Sequence, residues 1–169
     1  MKKLLLFSTI AIAISTFSTA CAQKPSPAAE TKGKIANGNE ITIIYSSPAL
    51  KGRTIGKDVE PMQGKVWRAG ANDATVFEIT KDATINGKPL PAGKYGFFAI
   101  DNGSDWTLIF NKTAKQWGAF SYKEADDALR INVKPSTAPT SMERLTYTIS
   151  DSGKVLLNWG TLQVDFDVK

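Results

Sequence analysis

Hydrophobic and polar residues alternate along much of this chain with a period of two. That alternation is typical of a half-buried β-strand, whereas an amphipathic helix repeats every 3.6 residues. The clearest case is 162–168, where Leu162, Val164, Phe166 and Val168 share one face. The same pattern predicts further strands at 41–45, 77–79, 129–133, 145–149 and 155–159. Residues 95–100 are apolar on nearly both sides, which predicts a central strand covered on both faces.

Turn signals separate these segments. Asn86-Gly87 favours a type I′ hairpin turn, because both central residues of that turn need positive φ. Residues 101–104 and 151–153 predict further tight turns. Tyr95, near the start of its strand, fits a tyrosine corner, whose hydroxyl binds a nearby backbone group. With 122–129 as the one helical prospect, the pattern predicts an all-β fold, an antiparallel β-sandwich or flattened barrel with at most one short helix.

The first 21 residues have the three parts of a secretory signal peptide: a basic start, an apolar run at 4–14, and small residues thereafter. The apolar run is shorter than the roughly 20 residues that span a bilayer, so we predict export without a transmembrane span. The residues before Cys21 resemble the lipobox of bacterial lipoproteins, in which Cys21 would be the lipidated first residue. Cleavage after Ala22 also fits. We favour lipidation, because the single Cys of the chain stands at this point.

The composition of 22–39 predicts a flexible tether, and 40–169 is long enough for a single β domain with its own core. The full chain has 21 basic and 16 acidic residues. Removal of Lys2 and Lys3 with the leader leaves 19 against 16. Such a small excess favours neither a nucleic acid nor an anionic membrane as partner. We therefore expect a protein of the periplasm or one anchored by lipid in the outer membrane.

The chain contains no His, which excludes Ser-His-Asp and Cys-His catalysis and His-ligated zinc or iron within it. No cofactor is predicted. Glu124, Asp126 and Asp127 form a small acidic cluster of the oxygen-ligand type that Ca²⁺ prefers. Their spacing matches no EF-hand loop, so we interpret the cluster as a solvated surface or the start of a helix and predict no metal site.

Polar and aromatic residues are densest between Tyr45 and Asp73. Two arginines offer planar forks for carboxylate or phosphate, a tryptophan offers a stacking face, and glycines nearby allow close approach. We predict a site for a glycan or a small acidic molecule, formed by Tyr45, Arg53, Trp67, Arg68, Asn72, Asp73 and Trp117. In the alternative, the two arginines pair with Asp73, Glu78 or Glu143 and hold irregular loops on the domain.

Glu143 suggests a second function class. Extending the strand back from Leu145 places this carboxylate on the apolar face, where it needs a partner. With Asp73 it would supply the two carboxylates of a glycosidase. A carboxylate-based hydrolase is therefore the alternative to the favoured interpretation, a non-catalytic binding or structural module.

Several short motifs are spread over most of the domain. They are Tyr45-Ser46-Ser47-Pro48, Lys51-Gly52-Arg53, the run Gly64-Lys65-Val66-Trp67-Arg68-Ala69-Gly70-Ala71-Asn72, Ala92-Gly93-Lys94-Tyr95, Asn111 and Trp117-Gly118. Together they strongly resemble the domain of unknown function 2911 family. The resemblance implies an exported protein of a Gram-negative bacterium and implies no particular activity. The chain departs from the family pattern at 60–63 and at Gly160.

Overall fold

Strands form nearly all the regular structure of residues 26–169, the part of the chain that this computed structural model describes. The predicted signal peptide, Cys21 and the start of the predicted tether lie outside the described residues. The strands are β1 (Ala28–Lys34), β2 (Glu40–Ser46), β3 (Val66–Trp67), β4 (Thr75–Ile79), β5 (Ala83–Ile85), β6 (Lys88–Leu90), β7 (Gly93–Asp101), β8 (Trp106–Asn111), β9 (Asp127–Val133), β10 (Ser136–Ile149) and β11 (Lys154–Asp167). Neighbouring strands pair antiparallel throughout.

The strands form two layers around one core. The larger sheet has the order β1-β2-β4-β7-β8-β9, with β3 also paired to β7. The β10–β11 hairpin packs across it, and β5–β6 forms a small third sheet. Phe77, Phe97 and Phe110 of the larger sheet meet Phe166 of β11, with ring centroids 5.7–5.9 Å from that ring. The predicted all-β fold is confirmed. It is a sandwich and not a closed barrel, because the larger sheet is open, with β1 and β9 at its edges.

β7 lies at the centre of the larger sheet. Its residues from Tyr95 to Ala99 are all buried. Phe97 faces the main core, while Phe98 belongs to a second apolar cluster on the opposite face with Ile109. The predicted central strand with two covered faces is confirmed.

The predicted turns are also confirmed. Asn86 and Gly87 have φ of 47° and 80° and join β5 to β6. The segments 101–104 and 151–153 connect β7 to β8 and β10 to β11. The Tyr95 hydroxyl donates to the Pro91 carbonyl at 2.8 Å, as a tyrosine corner requires.

The predicted tether is wrong over the range of β1. Residues 28–34 form a strand that pairs with β2 along its whole length. Its inward positions hold small or polar residues: Thr31 donates to the Tyr147 carbonyl at 3.1 Å, and Gly33 packs against Ile149. Ile35, the single large apolar residue of that stretch, is a core residue. Backbone pairing and close approach stabilise this edge strand, and neither leaves a hydrophobic pattern.

Two predicted segment boundaries change. The helical prospect at 122–129 is a short 3₁₀ turn at Glu124–Asp126, after which β9 begins at Asp127. The strands expected at 155–159 and 162–168 are one strand, β11, which continues through Gly160.

The expectation that Glu143 faces the core is wrong. The register of β10 against β11 shifts on both sides of Met142. This irregularity breaks the alternation between Leu145 and the residues before it, so Glu143 is exposed. Its carboxylate accepts the Lys51 backbone N–H at 2.7 Å.

Candidate functional site

A cleft of about 520 Å³ opens between the loop after β2 and the loop after β3. We call it the arginine cleft. It is lined by Arg53, Trp67 and Arg68 from the predicted set, and by Trp159 near the middle of β11. The structure therefore brings together three of the seven predicted site residues.

The first wall is the loop that follows β2. Arg53 folds back on this loop, donating from Nε to the Leu50 carbonyl at 2.9 Å and from Nη2 to the Ala49 carbonyl at 2.7 Å. Glu143 holds the same loop through the backbone N–H groups of Leu50 and Lys51. These bonds fix the guanidinium of Arg53 at the mouth of the cleft and use only part of its donor capacity.

Two stacked indole rings form the floor. Trp67 and Trp159 lie with ring centroids 6.1 Å apart and an interplanar angle of 14°. Trp67 is only 1% exposed, so it does not offer the open stacking face that the sequence suggested. Its indole N–H donates to the Gly70 carbonyl at 3.1 Å. The indole N–H of Trp159, by contrast, is buried without an acceptor in residues 26–169.

Arg68 is half-buried, and its Nε is also buried without an acceptor. Within the described part of the chain it forms no ion pair. The alternative prediction required Asp73, Glu78 or Glu143 as its partner. Glu78 instead pairs with Lys94 at 3.1 Å, and Glu143 holds the Lys51 backbone. Two of the three candidate acids are therefore engaged elsewhere, and Asp73, which is exposed, forms no ion pair with Arg68.

The loop that carries Arg68 is held firmly from below. The Ala69 carbonyl accepts two side-chain hydroxyls, from Thr75 at 3.0 Å and from Tyr147 at 2.7 Å. Burial raises the pKa of Tyr147 well above its ordinary value, so this hydroxyl stays protonated as a donor. The backbone next to Arg68 is consequently fixed by the core.

Charge in the arginine cleft is mixed with a small positive excess. Lys51, Arg53 and Arg68 line it together with Asp58 and Glu60, three cations against two carboxylates. Each carboxylate accepts a backbone N–H of its own loop at 2.9 Å, Asp58 from Thr54 and Glu60 from Met62. The acids thus also hold their own loop, and the cations that line the cleft outnumber them by one.

The other four predicted residues lie outside the arginine cleft. Asn72 has a positive φ of 59° and uses its amide to bind the Ser26 carbonyl and the Ser46 hydroxyl. Tyr45 is buried against Tyr147. Tyr45 and Asp73 line a second cleft of about 420 Å³, and Trp117 bridges to Asp73 through the backbone.

The structure does not bring together Asp73 and Glu143, the two carboxylates of the predicted alternative, a hydrolase. Asp73 lines the second cleft and Glu143 lies on the surface beside Lys51, so the two carboxylates share no cleft. The acidic cluster already has protein partners: Glu124 pairs with Arg130 at 2.6 Å, and Asp127 accepts the Tyr122 hydroxyl at 2.7 Å. Within residues 26–169 there is no group of acidic, Cys or His residues that could hold a metal ion.

Sequence reasoning missed Trp159, Lys51, Asp58 and Glu60 as lining residues. Trp159 looked like an ordinary strand residue, and only the pairing of the two sheets places its ring against Trp67. The departures from the family pattern were a usable signal. Glu60 and Met62 line the arginine cleft, and Gly160 lines an adjoining cleft whose wall Arg53 shares.

Comparison with known proteins gives one positive result. A family model described as a protein of unknown function (DUF2911) matches residues 26–168. Neither a search of curated proteins nor a search of solved structures found a match. In the part of the chain that the structure describes, no helix has the length and apolarity needed to cross a membrane.

Proposed function

We propose that this chain, which belongs to the DUF2911 family, is a non-catalytic cell-envelope protein that binds a small acidic molecule in the arginine cleft. One observation carries the proposal. Two buried N–H donors, Arg68 Nε and Trp159 Nε1, lack acceptors, and both belong to residues that line this one cleft.

Buried donors are rarely left unpaired, because each costs about 1–3 kcal/mol when its hydrogen bond to water is lost. Two such donors on residues that line one cleft favour a ligand that supplies acceptors, and because both atoms are buried, such a ligand would reach them only after the side chains around the cleft shift. A carboxylate or phosphate oxygen suits them best, because guanidinium groups bind these anions through charge-assisted hydrogen bonds.

The cleft also favours a ligand with hydroxyl groups. Its volume of about 520 Å³ is in the range for small-molecule sites. Asp58 and Glu60 also line the cleft and can accept hydroxyl hydrogens. An acidic sugar or a hydroxycarboxylic acid combines both kinds of group.

The indole N–H signals test this directly, because the four tryptophans give four separate peaks in a ¹⁵N–¹H spectrum. We expect glucuronate or citrate to shift the Trp159 peak strongly and the Trp106 and Trp117 peaks little. Glucose serves as the uncharged control. If none of glucuronate, citrate and phosphate moves the Trp159 peak at millimolar concentration, the proposal is wrong.

Arg68→Met should weaken binding of the acid that shifts Trp159 by about 10- to 100-fold, since a hydrogen bond to a charged group contributes about 1.5–3 kcal/mol. It should change the free energy of unfolding by less than about 1 kcal/mol, because no acid partner is left stranded. Titration calorimetry and urea melts measure the two effects.

Arg130→Met is the matched control. Arg130 pairs with Glu124 and contacts Asp127, whose side chain is only 6% exposed. Its removal should cost about 1–3 kcal/mol of stability and leave ligand affinity unchanged. A loss of roughly 3–5 kcal/mol in Arg68→Met would instead identify Arg68 as a structural residue with a hidden partner.

The envelope location rests on the predicted leader. Expressed in a Gram-negative host, the chain should lose residues 1–20 and carry lipid on Cys21. Intact mass of the purified product measures this. A product that begins at Gln23, or a Cys21→Ser variant that is processed and retained in membranes as before, would contradict lipidation.

A further inference from the structure

The segment 112–123, which we call the aromatic loop, holds two large apolar side chains in solvent. Trp117 is 59% exposed and Phe120 is 86% exposed. The loop runs between β8 and the 3₁₀ turn, on the face of the larger sheet opposite the main core. Exposed aromatic side chains close together on one loop indicate a surface that contacts something else.

The exposure is built into the fold, because the aromatic loop is anchored at both ends and in the middle. Buried Asn111 donates to the Lys123 carbonyl at 3.0 Å and accepts the Thr113 backbone N–H at 2.9 Å. Between these ends, Ala119 and Tyr122 pack inward, and the Tyr122 ring lies 5.2 Å from the ring of Phe98. Phe120, between two anchored residues, is thus held outward.

The charge of the aromatic loop is of one sign. Lys112, Lys115 and Lys123 are exposed, and the loop contains no acidic residue. None of the three lysines forms an ion pair within residues 26–169. Of the nearby acids, Glu124 is already paired with Arg130, which leaves exposed Asp73 beside Trp117 and half-buried Asp126 near Lys123.

We infer that the aromatic loop docks on the surface of an anionic lipid bilayer, with Trp117 and Phe120 inserted at the headgroup level and the lysines against the phosphates. Aromatic insertion combined with basic residues is how peripheral proteins bind such surfaces, since each signal alone is weak. Phe120 has no polar group for a sugar, and the three exposed lysines favour an anionic partner. The small net charge of the chain does not reveal this basic surface, because acidic residues elsewhere in the chain offset the lysines.

Trp117 is its own reporter of docking. The other three tryptophans, Trp67, Trp106 and Trp159, are at most 3% exposed. We would mix the full chain with vesicles whose acyl chains carry bromine, which quenches indole fluorescence on contact. Vesicles of phosphatidylcholine with phosphatidylglycerol should quench and blue-shift the Trp117 emission, and vesicles of phosphatidylcholine alone should not. Quenching reports the depth of Trp117 itself, so attachment through another part of the chain does not imitate it.

Two variants separate the contribution of the Phe120 ring to vesicle binding from that of the lysines. Phe120→Ser should lower the ratio of quenched to unquenched Trp117 about tenfold, the loss expected when one buried aromatic ring is removed. The double variant Lys115→Gln and Lys123→Gln should lower it at least tenfold at low salt. The double variant Lys57→Gln and Lys81→Gln, which changes exposed lysines of other loops, is the matched control and should behave like the unsubstituted chain.

Each contrary result overturns the inference. Trp117 that stays unquenched with anionic vesicles shows that the aromatic loop faces away from lipid. Equal quenching by neutral vesicles removes the role of the lysines. Unchanged quenching in Phe120→Ser, with an unchanged melting temperature, shows that the exposed ring serves a different partner.

Discussion

Phe97→Ala should lower the free energy of unfolding by about 3–5 kcal/mol. Phe97 is 2% exposed and lies in the central strand of the larger sheet. Its ring packs on Phe77, Phe110, Tyr147 and Phe166, with centroids 5.2–6.3 Å away. The neighbours come from both layers of the sandwich, so they cannot move together to fill the cavity. Urea melts followed by circular dichroism measure the loss.

Phe120→Ala is the control for this prediction. It removes the same atoms from a side chain that is 86% exposed, so the free energy of unfolding should change by less than about 0.5 kcal/mol. A small effect in Phe97→Ala, or similar effects in both variants, would mean that the aromatic cluster is not the centre of the core.

Gly153→Ala should be the second most damaging change, with a loss of about 3 kcal/mol or more. Gly153 has φ of 88° in the turn between β10 and β11. A Cβ there would lie 2.0 Å from the Val168 carbonyl oxygen, a backbone atom that cannot rotate away. The same Gly153 accepts the Val168 backbone N–H at 2.8 Å. Relief of the clash therefore breaks the contact that ties the turn to the end of β11.

Gly87→Ala separates the cost of a left-handed backbone from the cost of the steric clash at Gly153. Gly87 has a similar φ of 80°, but a Cβ at this position meets nothing within 4 Å. We expect a loss of about 1–2 kcal/mol from the left-handed backbone alone. Equal losses in the two glycine variants, measured in the same melts, would rule out the close approach of Val168 to Gly153.

The strands that the sequence predicted are those whose burial repeats along the chain. Ile41 and Ile43, or Val155 and Leu157, are buried on one side of their strands, and such alternation needs no knowledge of the partner strand. The hydrophobic pattern does not predict β1, because the inward side of this strand carries Thr31 and Gly33. Its stability comes from backbone pairing with β2 and from the contact with β10, and neither shows in the hydrophobic pattern of β1 itself.

The candidate site was predicted in part for a comparable reason. Arg53 and Arg68 were found because arginines beside glycines in irregular segments suit anion binding. Asn72 belongs to the same motif, yet its side-chain amide donates to the Ser26 carbonyl. Only the three-dimensional path of the chain shows that these two residues meet. The indole N–H of Trp159 is unpaired because of how the two sheets pack together, and the amino-acid type alone does not predict that packing.

The edge strand β1 has a consequence for how the folded protein avoids self-association. An open sheet edge offers unpaired backbone groups to any other strand. The exposed positions of β1 carry Glu30, Lys32 and Lys34, with Lys32 paired to Glu30 and Lys34 to Glu40 at 3.5 Å. A second sheet that approached this edge would have to desolvate that row of charges. The polar composition that predicted a flexible tether is thus the means by which this edge resists aggregation.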